Sequence, residues 1–130
     1  MKENRISIII NKPIKDVFEF TINPRNTPLW IYHIKEELVN NYPPKIGTVY
    51  KNRGTSNKWD FYTVIEFEEG KTFTLKSSDG NYYVKYTYKK ISKNKTEMEY
   101  LEWVKKGELE NPFTKVTLQK LKEVIESPKP

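Results

Sequence analysis

Between Ile46 and Val104 apolar and polar positions alternate in short runs, each closed by a turn signal. A period of two marks half-buried strands. The clearest run is Lys58 to Phe67, where Trp59, Phe61, Thr63, Ile65 and Phe67 share one face and Asp60, Tyr62, Val64 and Glu66 the other. Thr48 to Arg53 precedes it, ahead of a turn through Gly54-Thr55-Ser56-Asn57. Glu69-Gly70 turns the chain into Thr72 to Ser77, with Phe73 and Leu75 inward. Asp79-Gly80 predicts a hairpin, because glycine accepts the positive φ such turns require. Asn81 to Lys90 and Thr96 to Val104 form the next pair, joined through Ser92-Lys93-Asn94.

Upstream, Arg5 to Asn11 is β-branched and strand-like, and Pro13 stops it. Ile14, Val17, Phe18 and Phe20 fall at roughly helical spacing, which predicts a short helix over Pro13 to Thr21. Asn23-Pro24 is a helix-start signal: asparagine caps free amides and proline suits the first turn. Pro28 would disturb a helix begun there, so broken helical turns are expected, restarting near Thr27 and carrying Leu29, Trp30 and Ile31. Ile34 to Asn40 is a candidate strand, ended by Tyr42-Pro43-Pro44. The last element opens with a second cap-plus-proline pair, Asn111-Pro112. There Phe113, Val116, Thr117, Leu121, Val124 and Ile125 make an apolar stripe at helical spacing, with Lys115, Gln119, Lys122 and Glu126 opposite. The order is strand, two helical pieces, six strands and a helix. This is an α+β chain in which a curved antiparallel sheet wraps a C-terminal helix. No repeat or linker divides it, so residues 1–126 read as one domain and 127–130 as a disordered tail.

Several fold-specifying stretches carry a family resemblance. They are Ile8-Ile9-Ile10-Asn11-Lys12-Pro13, Val17-Phe18-Glu19-Phe20, the run from Asn23-Pro24 to Pro28-Leu29-Trp30, Ile46-Gly47-Thr48-Val49-Tyr50, and Gly107 ahead of the closing helix. Over nearly its whole length the chain resembles the START-like, birch-pollen-allergen-like helix-grip superfamily (SRPBCC), often labelled polyketide cyclase/dehydrase and lipid transport. The resemblance implies a cavity between the concave sheet and the last helix, commonly used for hydrophobic ligands. Members range from lipid carriers and hormone receptors to cyclases, so the fold does not choose a function. The last helix, about Pro112 to Glu126, is short for the family, which implies a smaller or more open cavity.

Composition narrows the chemistry. The chain has no cysteine, which excludes disulfides, thiol nucleophiles and thiolate metal sites. The opening residues Met1 to Arg5 are charged and no apolar stretch of signal-peptide length follows them, so a cytoplasmic protein without membrane insertion is expected. The net charge of +6 comes from 23 basic and 17 acidic side chains. Acids intervene among the lysines, and only Arg25 and Arg53 follow Arg5. Arginine is the preferred fork for phosphates and base edges, so nucleic acid is not the expected partner.

By alternation, the inward positions are Tyr50, Trp59, Phe61, Thr63, Phe73, Leu75, Tyr82, Val84, Tyr86, Tyr88, Met98 and Tyr100. Trp30, Phe113, Thr117 and Leu121 join them from the helical segments, and together these residues are the candidate ligand-binding wall. A buried phenol without a partner costs about 1–3 kcal/mol. Several on one face therefore imply hydroxyls that meet each other, water or a ligand.

Glu102 is in phase with Met98 and Tyr100, and an inward carboxylate could act as a general acid or base. The reading we adopt is a bulge near Leu101 that sends Glu102 to solvent and Trp103 inward, because tryptophan suits an exposed face poorly. His33 is the only histidine and follows Trp30 and Tyr32. Glu102 and His33 are thus the catalytic candidates, and neither has an evident acid–base partner. Asp60 is predicted outward and Asp79 sits in a turn, so no carboxylate pair suggests metal or glycosidase chemistry. No glycine-rich phosphate loop, G-x-S-x-G or H-E-x-x-H motif occurs, and no cofactor is expected. The leading expectation is a binding module for a small hydrophobic or aromatic molecule, as a monomer or weak homodimer, with a cavity of a few hundred Å3. The alternatives are a cyclase-, dehydratase- or hydrolase-like enzyme using the same cavity, and a protein–protein interaction domain.

Overall fold

The structure is a computed structural model that describes residues 2–128, so Lys129 and Pro130, the last two residues of the tail expected at 127–130, lie outside the described residues. Strand β1 (Glu3–Ile10) leads into helix α1 (Ile14–Ile22), a 3-10 turn (Pro24–Asn26) and the short helix α2 (Thr27–Trp30). Six strands follow: β2 (Glu36–Val39), β3 (Val49–Arg53), β4 (Asp60–Glu68), β5 (Thr72–Ser77), β6 (Tyr82–Ser92) and β7 (Lys95–Val104). Helix α3 (Lys115–Glu126) closes the chain. The broken helical passage has the expected cause. Asn23 Oδ1 accepts from the Arg25 N–H at 3.0 Å, and Pro28 stands in the first turn of α2, where no donor is required.

The seven strands form one antiparallel sheet in the order β1-β7-β6-β5-β4-β3-β2. The first strand pairs with the last, so α1 and α2 carry the chain from one sheet edge to the other. The β5–β6 hairpin turns at Gly80, whose φ of +75° favours glycine, while Asp79 accepts from Ser77 Oγ and the Asn81 N–H. One face of the sheet covers the core. Ile6, Ile8 and Ile10 of β1 sit beside Tyr100, Met98 and Thr96 of β7, and Tyr86 and Tyr88 continue the row on β6. Helix α1 lays Val17, Phe18 and Ile22 onto this surface. Phe18 meets Phe67, Phe73 and Tyr88 edge-on at 5.1–6.3 Å.

Three expectations change. In β4 the register shifts between Val64 and Glu66, leaving Ile65 as the extra residue of a bulge. Phe67 therefore faces the core as expected, but before the bulge the inward residues are Tyr62 and Val64. Trp59, Phe61 and Thr63 stand on the outer face, where Phe61 is 44% exposed and Trp59 lies under Lys51 and Arg53. In β7, by contrast, the pairing with β1 and β6 runs unbroken past Leu101. Glu102 points inward and is 1% exposed, while Trp103 stacks on Tyr83 outside at 5.0 Å. Trp103 thus escapes an exposed environment by finding an aromatic partner, not by turning inward.

Helix α3 starts at Lys115 with Thr114 as its N-cap, not at Asn111-Pro112. Asn111 adopts φ +52°, and the Phe113 backbone is tied to Asn4 and Glu102 instead of entering a helix. The buried stripe centres on Leu118 and Leu121, with Val116 78% exposed. At 12 residues, α3 is about 18 Å long. It lies against β1, where Lys122 donates to the Ile9 carbonyl and Glu126 accepts from the Asn11 N–H. No described helix is long and apolar enough to cross a membrane.

Candidate functional site

A cavity of about 90 Å3 lies between strands β2–β7 of the sheet and the α1–α2 segment. The sheet contributes Glu37 from β2, Tyr50 and Asn52 from β3, Tyr62 from β4, Phe73 and Leu75 from β5, Tyr82, Val84 and Tyr86 from β6, and Tyr100 from β7. Thr21, Thr27, Ile31, His33 and Ile34 form the opposite wall, and Phe113 closes one side. His33 is exposed and marks the mouth. A wider depression of about 290 Å3 runs along Lys12, Asp16, Glu19, Phe20, Asn23, Asn26 and Ile125. It is largely polar and holds no cluster of buried groups, so the smaller cavity is the candidate site.

Of the candidate wall residues, Tyr50, Phe73, Leu75, Tyr82, Val84, Tyr86, Tyr100 and Phe113 line this cavity. Trp30, Tyr88, Met98 and Leu121 pack in the solid core beside it. Trp59, Phe61 and Thr63 lie across the sheet, for the reason given by the β4 bulge. Thr117 and Leu121 are absent from the lining because α3 packs on β1, so the space opens toward α1 and α2 instead. The cavity is also smaller than expected. It falls below the roughly 300–1,000 Å3 of drug-sized sites and below the roughly 150 Å3 that takes a benzene ring.

The polar groups divide into satisfied and free. Tyr50 donates to the Ile22 carbonyl at 2.6 Å, and Tyr88 meets Thr21 Oγ1 at 2.5 Å. The hydroxyls of Tyr62 and Tyr86 have no hydrogen-bond partner among the described residues, although Tyr86 is only 6% exposed. The buried Trp30 Nε1 is likewise unpartnered; its ring meets those of Tyr86 and Phe113 nearly perpendicularly. Burial drives the phenols upward: Tyr62 reaches about 12, with the charges of Asp60, Glu37 and Asp79 adding to the effect. Tyr86 is pushed well above its ordinary value, first by burial and then by neighbouring Tyr88 and Glu37.

Two inward carboxylates flank this aromatic set. Glu102 accepts from Tyr82 Oη at 2.7 Å, Asn4 Nδ2 at 2.9 Å and the Phe113 N–H at 2.7 Å. It does not line the cavity. Glu37 does, accepting from Thr27 Oγ1 at 2.5 Å and Asn52 Nδ2 at 3.1 Å. Desolvation pushes the Glu37 carboxyl above its ordinary value, and the two hydrogen bonds oppose that rise.

Glu37, Asn52, Tyr62, Thr21, Thr27, Ile31 and Ile34 are the cavity members that sequence reasoning missed. For Glu37 a signal existed. Adjacent Glu36 and Glu37 in a strand must take opposite faces, so one carboxylate had to point inward. Glu36 faces out and pairs with Arg53 at 2.9 Å.

No protein-family model matches the chain, and no curated protein matches it. Solved structures do. XoxI from Bacillus cereus superposes with a TM-score of 0.74 at 14% identity, covering 96% of each chain. Ara h 8.0201 gives 0.63 at 13% identity, covering 95% of this chain and 96% of that one. The di-domain ARO/CYC protein BexL gives 0.65 at 12% identity, covering 80% of this chain and 36% of that one. Architecture and neighbours agree: this chain has a helix-grip fold.

Proposed function

We propose that the protein is a binding module for a small molecule with an apolar, preferably aromatic, body and a hydrogen-bonding edge. The observation that carries this reading is the pair of partnerless hydroxyls, Tyr62 and Tyr86, facing an aromatic cavity. A core built only for stability would place phenylalanine at such positions, whereas hydroxyls that open into a cavity are free to meet water or a ligand. The apolar walls supply affinity at about 25 cal/mol per Å2 of surface covered, and the hydroxyls and Glu37 set orientation. The modest volume limits the enclosed part of the ligand to a group smaller than a benzene ring, with the remainder reaching the mouth at His33.

The fold shared with an ARO/CYC protein keeps an enzymatic reading in view. Its specific support is Tyr82 hydrogen-bonded to Glu102 at 2.7 Å beside the cavity. Burial drives the Tyr82 phenol up, with the Glu102 charge adding to it, which makes it a poor proton donor. Binding without turnover fits better. Native mass spectrometry of freshly purified protein, followed by denaturing extraction, tests the reading. A stoichiometric small-molecule adduct is expected. A bare protein mass, together with no thermal shift from a panel of small aromatics, would overturn it.

A further inference from the structure

The cavity combines aromatic side chains with a carboxylate. Tyr62, Tyr86 and Phe73 line it together with Glu37, and no lysine or arginine is among the lining residues. Glu37 forms no ion pair among the described residues, whereas its outward neighbour Glu36 has Arg53. The two donors it does have, Thr27 and Asn52, are neutral. Each carboxylate oxygen therefore keeps accepting capacity. The titratable groups sharing the cavity are Tyr50, Tyr62, Tyr82, Tyr86 and Tyr100 from four strands and His33 at the mouth.

A carboxylate so placed selects by charge. A ligand anion would meet Glu37 without a compensating cation. A neutral ligand would leave the carboxylate's charge unbalanced in a poorly solvated site. A cationic nitrogen would balance the carboxylate's charge and could donate both to its remaining lone pairs and to the Tyr62 and Tyr86 hydroxyl oxygens. Building on the binding-module reading, we propose that the ligand is a small organic ammonium whose nitrogen docks on Glu37 beside Tyr62, Tyr86 and Phe73 and whose apolar body extends to the mouth at His33. The small volume agrees with this, since an ammonium headgroup fits where a full ring does not. Burial also disfavours the bare Glu37 anion, and the ligand would supply the counter-charge that the protein withholds.

The test compares isosteres that differ in charge: benzylammonium, benzyl alcohol and benzoate, titrated into the intact protein by calorimetry at neutral pH. We expect benzylammonium to bind at least about tenfold more tightly than benzyl alcohol and benzoate to bind least. Glu37→Gln should abolish the preference for ammonium while retaining the alcohol. Equal binding of ammonium and alcohol to the unmodified protein would overturn the inference and leave the binding-module reading standing; that comparison needs no variant. An undiminished ammonium preference in folded Glu37→Gln would also overturn it. No binding by any of the three would overturn the ammonium assignment and count against the binding-module reading as well.

Discussion

Two inward carboxylates under one sheet have opposite surroundings. Glu102, on β7, is sealed: three donors from Asn4, Tyr82 and Phe113 converge on it, and together they hold the chain ahead of α3 against β1 and β7. Glu37, on edge strand β2, has two donors and fronts a cavity. The difference teaches how to read buried charge. A carboxylate on which backbone and side-chain donors from separate segments converge is a structural joint, since its removal takes away their shared acceptor. A carboxylate that keeps spare capacity and faces open space is placed to meet something from outside.

The predictions follow from that contrast. The largest effect is expected for Glu102→Ala, which removes the shared acceptor of three part-buried donors and should lower unfolding free energy by on the order of 3 kcal/mol in urea titrations. A loss below about 1 kcal/mol would erase the distinction between the two sites. Phe113→Ala removes a ring stacked on Tyr100 at 4.5 Å and one wall of the cavity. It should cost about 2 kcal/mol, less than for a fully buried phenylalanine, and should admit larger ligands in a thermal-shift panel.

Glu37→Gln sharpens the comparison through pH. The folded Glu37 carboxyl titrates above its ordinary value of 4.5, so the folded state holds the proton more tightly than the unfolded chain. Its contribution to stability is full below 4.5 and is lost as pH rises through the raised value. Glu37→Gln should therefore gain stability relative to the unmodified protein as pH rises above 4.5 in denaturant titrations. A difference that stays constant or reverses would contradict the desolvation argument. The smallest effect is expected for Phe61→Thr on the outer sheet face, within about 1 kcal/mol by thermal unfolding. A larger loss would mean that Phe61 is part of the core.

Element order and most strands were legible, because turn glycines, cap-plus-proline pairs and alternation act locally. The failures have local causes that alternation does not encode. A bulge at Ile65 reverses the facing of the first half of β4, so an apolar run of Trp59, Phe61 and Thr63 pointed to the wrong side. The positive φ at Asn111 defeats a cap-plus-proline signal that is sound at Asn23-Pro24. About half of the candidate wall is in the cavity because β3, β5, β6 and β7 keep their phase. The α1–α2 wall was not legible, since nothing along the chain shows that a short α3 would dock on β1 and leave the cavity to face the other helices. A tryptophan on an outer strand face misled for Glu102, because stacking partners such as Tyr83 come from a neighbouring strand.

The central claim is that the Glu37 side of the sheet is the open, ligand-taking side and the Glu102 side the closed joint. Amide chemical-shift mapping during titration with small aromatic amines and alcohols tests it most directly. The account predicts shifts concentrated at Thr27, Ile34, Glu37, Asn52 and Tyr62, with Asn4 and Glu102 nearly still. Shifts centred on Asn4 and Glu102, or confined to the depression between α1 and the end of α3, would contradict it.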